Sequence, residues 1–135
     1  MAERFWEIVD AVEFPLLVTH GEDGFPKARP MHLIHWEKQT LWFATSRASN
    51  KVTQIAADAK VTVLFVDTVQ FNYVSVYGRA QVVTDPEMKK RLWRESWTDD
   101  WPAGPSDPDY ILLRVMGESG VYYSGDTDES GEMSL

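Results

Sequence analysis

The architecture is decided by residues 25–55, which read FPKARPMHLIHWEKQTLWFATSRASNKVTQI. Two apolar segments, 28–36 and 40–44, flank a polar turn at 37–39, and this order predicts a β-hairpin. A loop rich in small hydroxyl residues follows, and a short helical pattern begins near Ser49, whose side chain suits an N-cap. The stretch therefore predicts strand, turn, strand, loop and helix, in that order.

Cationic and hydroxyl side chains gather in this stretch, where one anionic group could meet several of them. They are Arg29, Thr45, Ser46, Arg47, Ser49 and Lys51. A phosphate is bound by this combination, because cations supply charge while hydroxyls and free backbone N–H groups supply directed hydrogen bonds. The stretch has no glycine-rich turn, so it is neither a P-loop nor a dinucleotide-binding fingerprint.

The rest of the sequence predicts short strands with a few helices around them. The predicted elements are a helix at 2–12, a strand at 16–19, a turn at 21–24, strands at 60–67 and 72–84, a helix from Asp85 to about Trp97, a strand at 110–116, a turn at 117–120 and a strand at 121–124. Gly78 interrupts the long strand and indicates a bulge or bend. This spacing predicts a mainly β fold, a small antiparallel barrel with peripheral helices. We expect one domain over residues 1–124 and a disordered acidic tail at 125–135.

Composition excludes several classes of partner. The chain has 135 residues and a net charge of −8, whereas a nucleic-acid-binding protein needs a broad basic face. No apolar run approaches the roughly 20 residues of a membrane span. The chain contains no cysteine, which excludes disulfides, and its first residues do not resemble a signal peptide. We therefore expect a cytoplasmic protein without nucleic-acid or membrane partners.

Three short segments, in this order and spacing, resemble the flavin-binding pattern of the pyridoxamine 5′-phosphate oxidase-like split barrels. They are ARPM at 28–31, LWFATS at 41–46 and SNKV at 49–52. YVSVYGRA at 73–80 and DPDY at 107–110 extend the similarity, which is greatest to the general stress protein 26 subgroup. The resemblance implies a six-stranded antiparallel split β-barrel that binds FMN and forms a twofold homodimer with the flavin at the interface.

The resemblance also implies a cofactor site. Its residues would be Arg29, Pro30, Met31, His32, Thr45, Ser46, Asn50 and Lys51. In this interpretation Arg29 and Lys51 hold the phosphate with the two hydroxyl residues, while Pro30 and Met31 line the isoalloxazine ring. Oxidases of the family carry an arginine immediately before the phosphate lysine, where this chain has Asn50. Arg47 is a candidate to replace that cation.

Other chemistry-bearing residues have a plainer interpretation. His32 and His35 would point to opposite faces of a strand, and no third ligand cluster accompanies them, so we expect no metal site. Trp93, Trp97 and Trp101 are spaced by four. They either anchor a helix on the barrel or form a wall of the flavin pocket.

The resemblance implies a flavin-dependent oxidoreductase or a stress-related redox protein, with NAD(P)H or another small molecule as electron donor. A non-catalytic flavin-binding module and a split barrel for deazaflavin or haem remain alternatives, and no catalytic residue is indicated. True pyridoxamine phosphate oxidases carry C-terminal arginine and tryptophan residues. This chain has Tyr122-Tyr123 and an acidic tail there, which argues against pyridoxamine phosphate as substrate.

Overall fold

A computed structural model describes residues 2–135 and shows one eight-stranded sheet with helices at its periphery. The strands are β1 (Leu16–His20), β2 (Pro26–Pro30), β3 (His35–Glu37), β4 (Thr40–Ser46), β5 (Lys60–Asp67), β6 (Asn72–Val83), β7 (Tyr110–Ser124) and β8 (Glu129–Ser134). The α-helices are α1 (Ala2–Ala11), α2 (Asn50–Ala57) and α3 (Pro86–Leu92), and 3-10 turns span Glu95–Trp97 and Gly104–Ser106. The mainly β split-barrel class is confirmed, although the expected count of six strands was too low.

The strand order is β2-β1-β5-β6-β7-β4-β3, with β8 added to β7, and every pairing is antiparallel. The hairpin predicted from 28–36 and 40–44 does not form as one unit. The first segment divides, because β2 pairs with β1 while β3 pairs with β4 at the opposite end of the order. Pro30 has no N–H to donate to a ladder, and the next N–H group, that of Met31, donates to Pro15 O at 2.8 Å.

The turn predicted at 117–120 is also wrong, because β7 continues through it as a 15-residue strand. Its glycines allow close packing instead. A Cβ on Gly120 would lie 2.7 Å from the Phe5 ring, which belongs to α1 and is completely buried. The predicted irregularity at Gly78 is confirmed, since the register of β6 and β7 shifts between Tyr77 and Gly78.

The expectation of a disordered tail differs from the structure. Residues of β8 pair with 119–124 of β7, and Met133 and Leu135 pack against the main core. Arg4 on α1 reaches the same segment, with Nη2 donating to Asp126 Oδ1 at 2.6 Å. The acidic composition indicated disorder, but the alternate apolar residues Met133 and Leu135 pack on the apolar surface of the main core. Strand β8 is therefore part of the eight-stranded sheet.

Two apolar clusters organise the interior. The main core lies between the inner sheet face, α1 and α2, and includes Phe5, Phe43, Ile55 and Phe65. The second cluster is aromatic and lies under α3 and the loop that follows it. The helix predicted from Asp85 begins there, because Asp85 is the N-cap of α3 and accepts from Met88 N at 3.1 Å, but the helix ends at Leu92 rather than near Trp97. None of the helices in the described residues is long and apolar enough to cross a membrane.

Candidate functional site

The loop between β4 and α2 is held on both sides by backbone hydrogen bonds. Ser49 N donates to Ser46 O at 3.1 Å, which closes the turn that leads into α2. Arg47 N donates to Asp109 O at 2.8 Å, and Arg47 Nε donates to Pro108 O at 2.9 Å. These hydrogen bonds fix the loop relative to the end of β4, the first turn of α2 and the loop at 108–109. The Arg47 side chain is engaged by the neighbouring loop, although it was a candidate cation for the site.

Lys51 lies in the first turn of α2 and turns back toward the end of β4. Its Nζ donates to Thr45 Oγ1 at 3.0 Å, and the same hydroxyl lies 3.4 Å from Ser49 Oγ. Thr45 is buried, with 7% of its surface exposed. One ammonium and two hydroxyls thus converge where α2 begins, and the free N–H groups of a helix start carry partial positive charge.

Arg29 approaches the same helix from β2. Its Nη1 donates to Leu17 O at 3.2 Å and to Thr19 Oγ1 at 2.8 Å, and its Nη2 donates to Gln54 Oε1 at 3.2 Å. Gln54 is three residues after Lys51, which places both side chains on one face of α2. All three acceptors are neutral groups, so they orient the guanidinium without compensating its charge.

The two cations lie close enough to affect each other electrostatically. Burial lowers the pKa of Lys51, and the positive charge of Arg29 lowers it further. Burial also lowers the pKa of Arg29. Within residues 2–135, neither cation forms an ion pair with a carboxylate. Two half-buried positive charges without an acidic partner create a site that an anion would stabilise.

An aromatic cluster supports the site from the side of the second core. Trp101 Nε1 donates to Ser46 Oγ at 3.2 Å, and Trp101 is itself buried. Its ring lies 5.7 Å from Trp97 and 5.1 Å from Tyr110, measured between centroids. Trp93 packs into the same group. The tryptophans therefore anchor the loop on the barrel, and Trp101 in addition contacts a predicted site residue.

The sequence of residues 1–133 matches the pyridoxamine 5′-phosphate oxidase-like family. The chain belongs to this family. No protein with a curated function matches it significantly.

Solved structures of similar proteins share the fold of this pyridoxamine 5′-phosphate oxidase-like protein. A Clostridium acetobutylicum protein related to general stress protein 26 has a TM-score of 0.84 and 24% identity, over 98% of this chain and 93% of that chain. General stress protein 26 from Bacillus anthracis has a TM-score of 0.81 and 27% identity, over 98% and 97%. A protein from Nostoc punctiforme described as FMN binding has a TM-score of 0.75 and 13% identity, over 99% and 93%.

The structure brings three of the eight predicted site residues of this family member together beside α2, namely Arg29, Thr45 and Lys51, and Pro30 adjoins Arg29 on β2. Ser46 follows Thr45 on β4, and its Oγ accepts from Trp101 in the aromatic cluster. Asn50, at the start of α2, is exposed and lines a neighbouring cavity of about 380 Å³ together with Gln54. Met31 is 9% exposed and packs in the main core, with its backbone N–H engaged by Pro15.

His32 lies apart from that group. Its Nε2 is 3.2 Å from Glu13 Oε2, and its ring stacks on Phe14 with 4.8 Å between centroids. The residues around it line a separate cavity of about 620 Å³ that also contains Trp36 and Arg94. Across residues 2–135, no group of three histidine, aspartate or glutamate side chains is arranged to hold a metal ion.

Sequence reasoning missed two residues of the site, Thr19 and Gln54. Both contact Arg29, and neither belongs to a motif. The spacing of Gln54 from Lys51 was a usable signal, because residues three apart share a helix face. Thr19 carried no comparable signal, since a threonine in a short β-strand is ordinary.

Proposed function

We propose that this protein binds FMN and that Arg29, Thr45, Ser46 and Lys51 hold its phosphate. The observation that carries this proposal is the pair of half-buried cations, Arg29 and Lys51, which lie close together and have no carboxylate partner in the described residues. A phosphate monoester carries close to two negative charges at neutral pH and several acceptor oxygens. It therefore matches both the charge and the donors of the site.

Each group of the chain has a distinct part in this binding. Lys51 supplies a mobile ammonium, and Arg29 supplies a fixed planar donor. The Ser46 hydroxyl accepts from Trp101 Nε1, so its own hydrogen can be donated to the phosphate. The Thr45 hydroxyl accepts from Lys51 Nζ and lies 3.4 Å from Ser49 Oγ, so it links two donors of the site. Flavin, when bound, supplies hydride and one-electron chemistry, while the protein binds and orients it.

The proposed activity is that of a flavin-dependent oxidoreductase or redox protein, with NAD(P)H or another small molecule as electron donor. The name of the Nostoc punctiforme neighbour, an FMN binding protein, supports the cofactor. Anaerobic addition of NADPH or NADH to the FMN-loaded protein tests the activity. Bleaching of the flavin absorption band supports an oxidoreductase, and a band unchanged by either nucleotide supports a non-catalytic flavin-binding module.

We further propose a homodimer. Large apolar side chains are exposed along one hairpin, with Val69 93% and Phe71 70% exposed at the tip between β5 and β6. Twofold pairing is the commonest way in which a small domain covers such side chains. Sedimentation at micromolar concentration measures the state, and a strict monomer would contradict the proposal.

Titration of intrinsic flavin fluorescence with FMN and with riboflavin tests the phosphate site. Riboflavin has the same ring system without the phosphate, so the ratio of the two affinities isolates the phosphate contribution. Lys51→Ala removes a charge-assisted contact worth roughly 1.5–3 kcal/mol, and the ratio should fall about tenfold to a hundredfold. Equal weakening of both ligands would make Lys51 a structural residue. No change in either affinity would place the phosphate elsewhere.

A further inference from the structure

One end of the Arg29 guanidinium is held by a closed set of hydrogen bonds. Nη1 donates to Leu17 O and to Thr19 Oγ1, and Nη2 donates to Gln54 Oε1. The Thr19 hydroxyl also donates to Gln54 Oε1. Thr19 is completely buried, so its oxygen is a fixed point in the barrel wall. Thr19 and Gln54 thus form a connected pair of acceptors that faces the Nη1–Nη2 end of Arg29.

The stereochemistry of the guanidinium determines what remains free. The group is planar and has five N–H donors in fixed directions, of which these contacts use three. The two others, on Nε and Nη2, point in parallel from one edge of the plane. Among residues 2–135, Nε of Arg114 is the buried side-chain nitrogen that has no partner. Nε of Arg29 also meets no acceptor in those residues, so it is open to solvent rather than enclosed.

We propose that Thr19 and Gln54 are positioning residues, which occupy one end of Arg29 and thereby present its Nε–Nη2 edge to the phosphate of the ligand. This inference rests on the proposed FMN site and adds two residues that act through Arg29. Two parallel N–H donors on one edge match two oxygens of a phosphate, which is the bidentate geometry that favours arginine at such sites.

Fixing Arg29 before the ligand arrives is advantageous because the side chain is long. A free arginine loses rotamer entropy when it binds, and a preorganised one has already lost it during folding. Gln54 also ties the arginine of β2 to the helix that carries Lys51. The two cations therefore keep one spacing, set by the packing of α2 on the sheet.

The test compares FMN and riboflavin affinities of Gln54→Ala and Thr19→Val with those of the wild-type protein. Each variant removes an acceptor of Arg29 and leaves every direct phosphate ligand in place. We expect the FMN-to-riboflavin ratio to fall about threefold to tenfold, the effect of roughly one net hydrogen bond, while riboflavin affinity stays the same. Thr19→Ser keeps the hydroxyl and should keep the wild-type ratio.

Gln81→Ala is the matched control, because Gln81 Oε1 accepts from Nη2 of another arginine, Arg114, on β7. The FMN-to-riboflavin affinity ratio of Gln81→Ala should equal that of the wild-type protein. If Gln54→Ala and Thr19→Val preserve the ratio while Lys51→Ala lowers it, the positioning role is overturned and the phosphate site stands. If none of the three lowers it, the phosphate site fails and the positioning role fails with it. Equal weakening of both ligands would reduce Thr19 and Gln54 to structural residues.

Discussion

Arg29 on β2 and Lys51 on α2 are 22 residues apart in the chain, yet the charge of Arg29 lowers the pKa of Lys51. The strand and the helix meet because β1, which pairs with β2, also packs under α2. Folding therefore assembles a positive site without an acidic partner in the described residues. The two uncompensated charges slightly lower the stability of the free protein, and an anion that binds between them stabilises it.

The pH dependence of binding follows from this arrangement. Because the pKa of Lys51 is lowered in the free protein, the residue loses its charge at a lower pH than an exposed lysine. A bound phosphate restores the charged form, so FMN affinity should decline above that lowered pKa, by at most about tenfold per pH unit for one proton. FMN and riboflavin share the isoalloxazine ring, so dividing by the riboflavin affinity at each pH removes any effect of titration of the ring.

Lys51→Arg supplies the control for this pH dependence, because a guanidinium keeps its proton throughout the measured range. The FMN-to-riboflavin ratio of this variant should stay level between pH 8 and 10.5, a range set by the ordinary lysine pKa of about 10.4. A decline of the same size in both proteins would assign the titration to another group.

Trp101→Phe tests the link between the aromatic cluster and the loop. The variant keeps an aromatic ring and removes the N–H that meets Ser46 Oγ. We expect the free energy of unfolding to drop by about 1–2 kcal/mol, and the FMN-to-riboflavin ratio to drop about twofold to fivefold as the hydroxyl loses its orientation. Trp97→Phe is the control, since Trp97 packs in the same cluster but does not contact Ser46. Equal FMN-to-riboflavin ratios in Trp101→Phe and Trp97→Phe would show that the hydrogen bond from Trp101 to Ser46 does not affect phosphate binding.

Deletion of residues 125–135 tests the role of β8. The structure predicts a substantial loss of stability, because Met133 and Leu135 cover the main core and β8 pairs with the end of β7. Partial burial of two such side chains corresponds to roughly 2–4 kcal/mol. Urea unfolding measures the loss, and Glu132→Gln should leave stability unchanged. A deletion variant as stable as the full chain would show that the segment does not dock in solution.

Gly78→Ala tests the close approach of β6 and β7. A Cβ at this position would lie 2.2 Å from the backbone oxygen of Met116, so the two strands must separate. We expect a loss of about 1–3 kcal/mol or more, typical of overpacking against a rigid neighbour. The control is Gly131→Ala on β8, where the nearest atom is 3.2 Å away on the ring of Tyr122. Similar thermal unfolding of both variants would contradict the steric argument.

Local patterns in the sequence were sufficient to predict several structural features of this protein. The turn at 21–24, the strand at 60–67, the start of α3 at Asp85 and the irregularity at Gly78 depend on residues close together in the chain. The hydroxyl and cationic residues of the proposed phosphate site could also be identified from the sequence, because most of them lie within one strand–loop–helix segment. The resemblance to the family rests on the same segments.

Tertiary structure decided the rest, because side-chain alternation determines which face a residue occupies but not which strand becomes its neighbour. The sequence could not show that β2 pairs with β1 while β3 pairs with β4, or that an acidic tail would add a strand to β7. Nor could it show that Thr19 and Gln54, 35 residues apart, meet at Arg29. Those contacts arise from sheet register and helix packing, which bring together groups that have no relation along the chain.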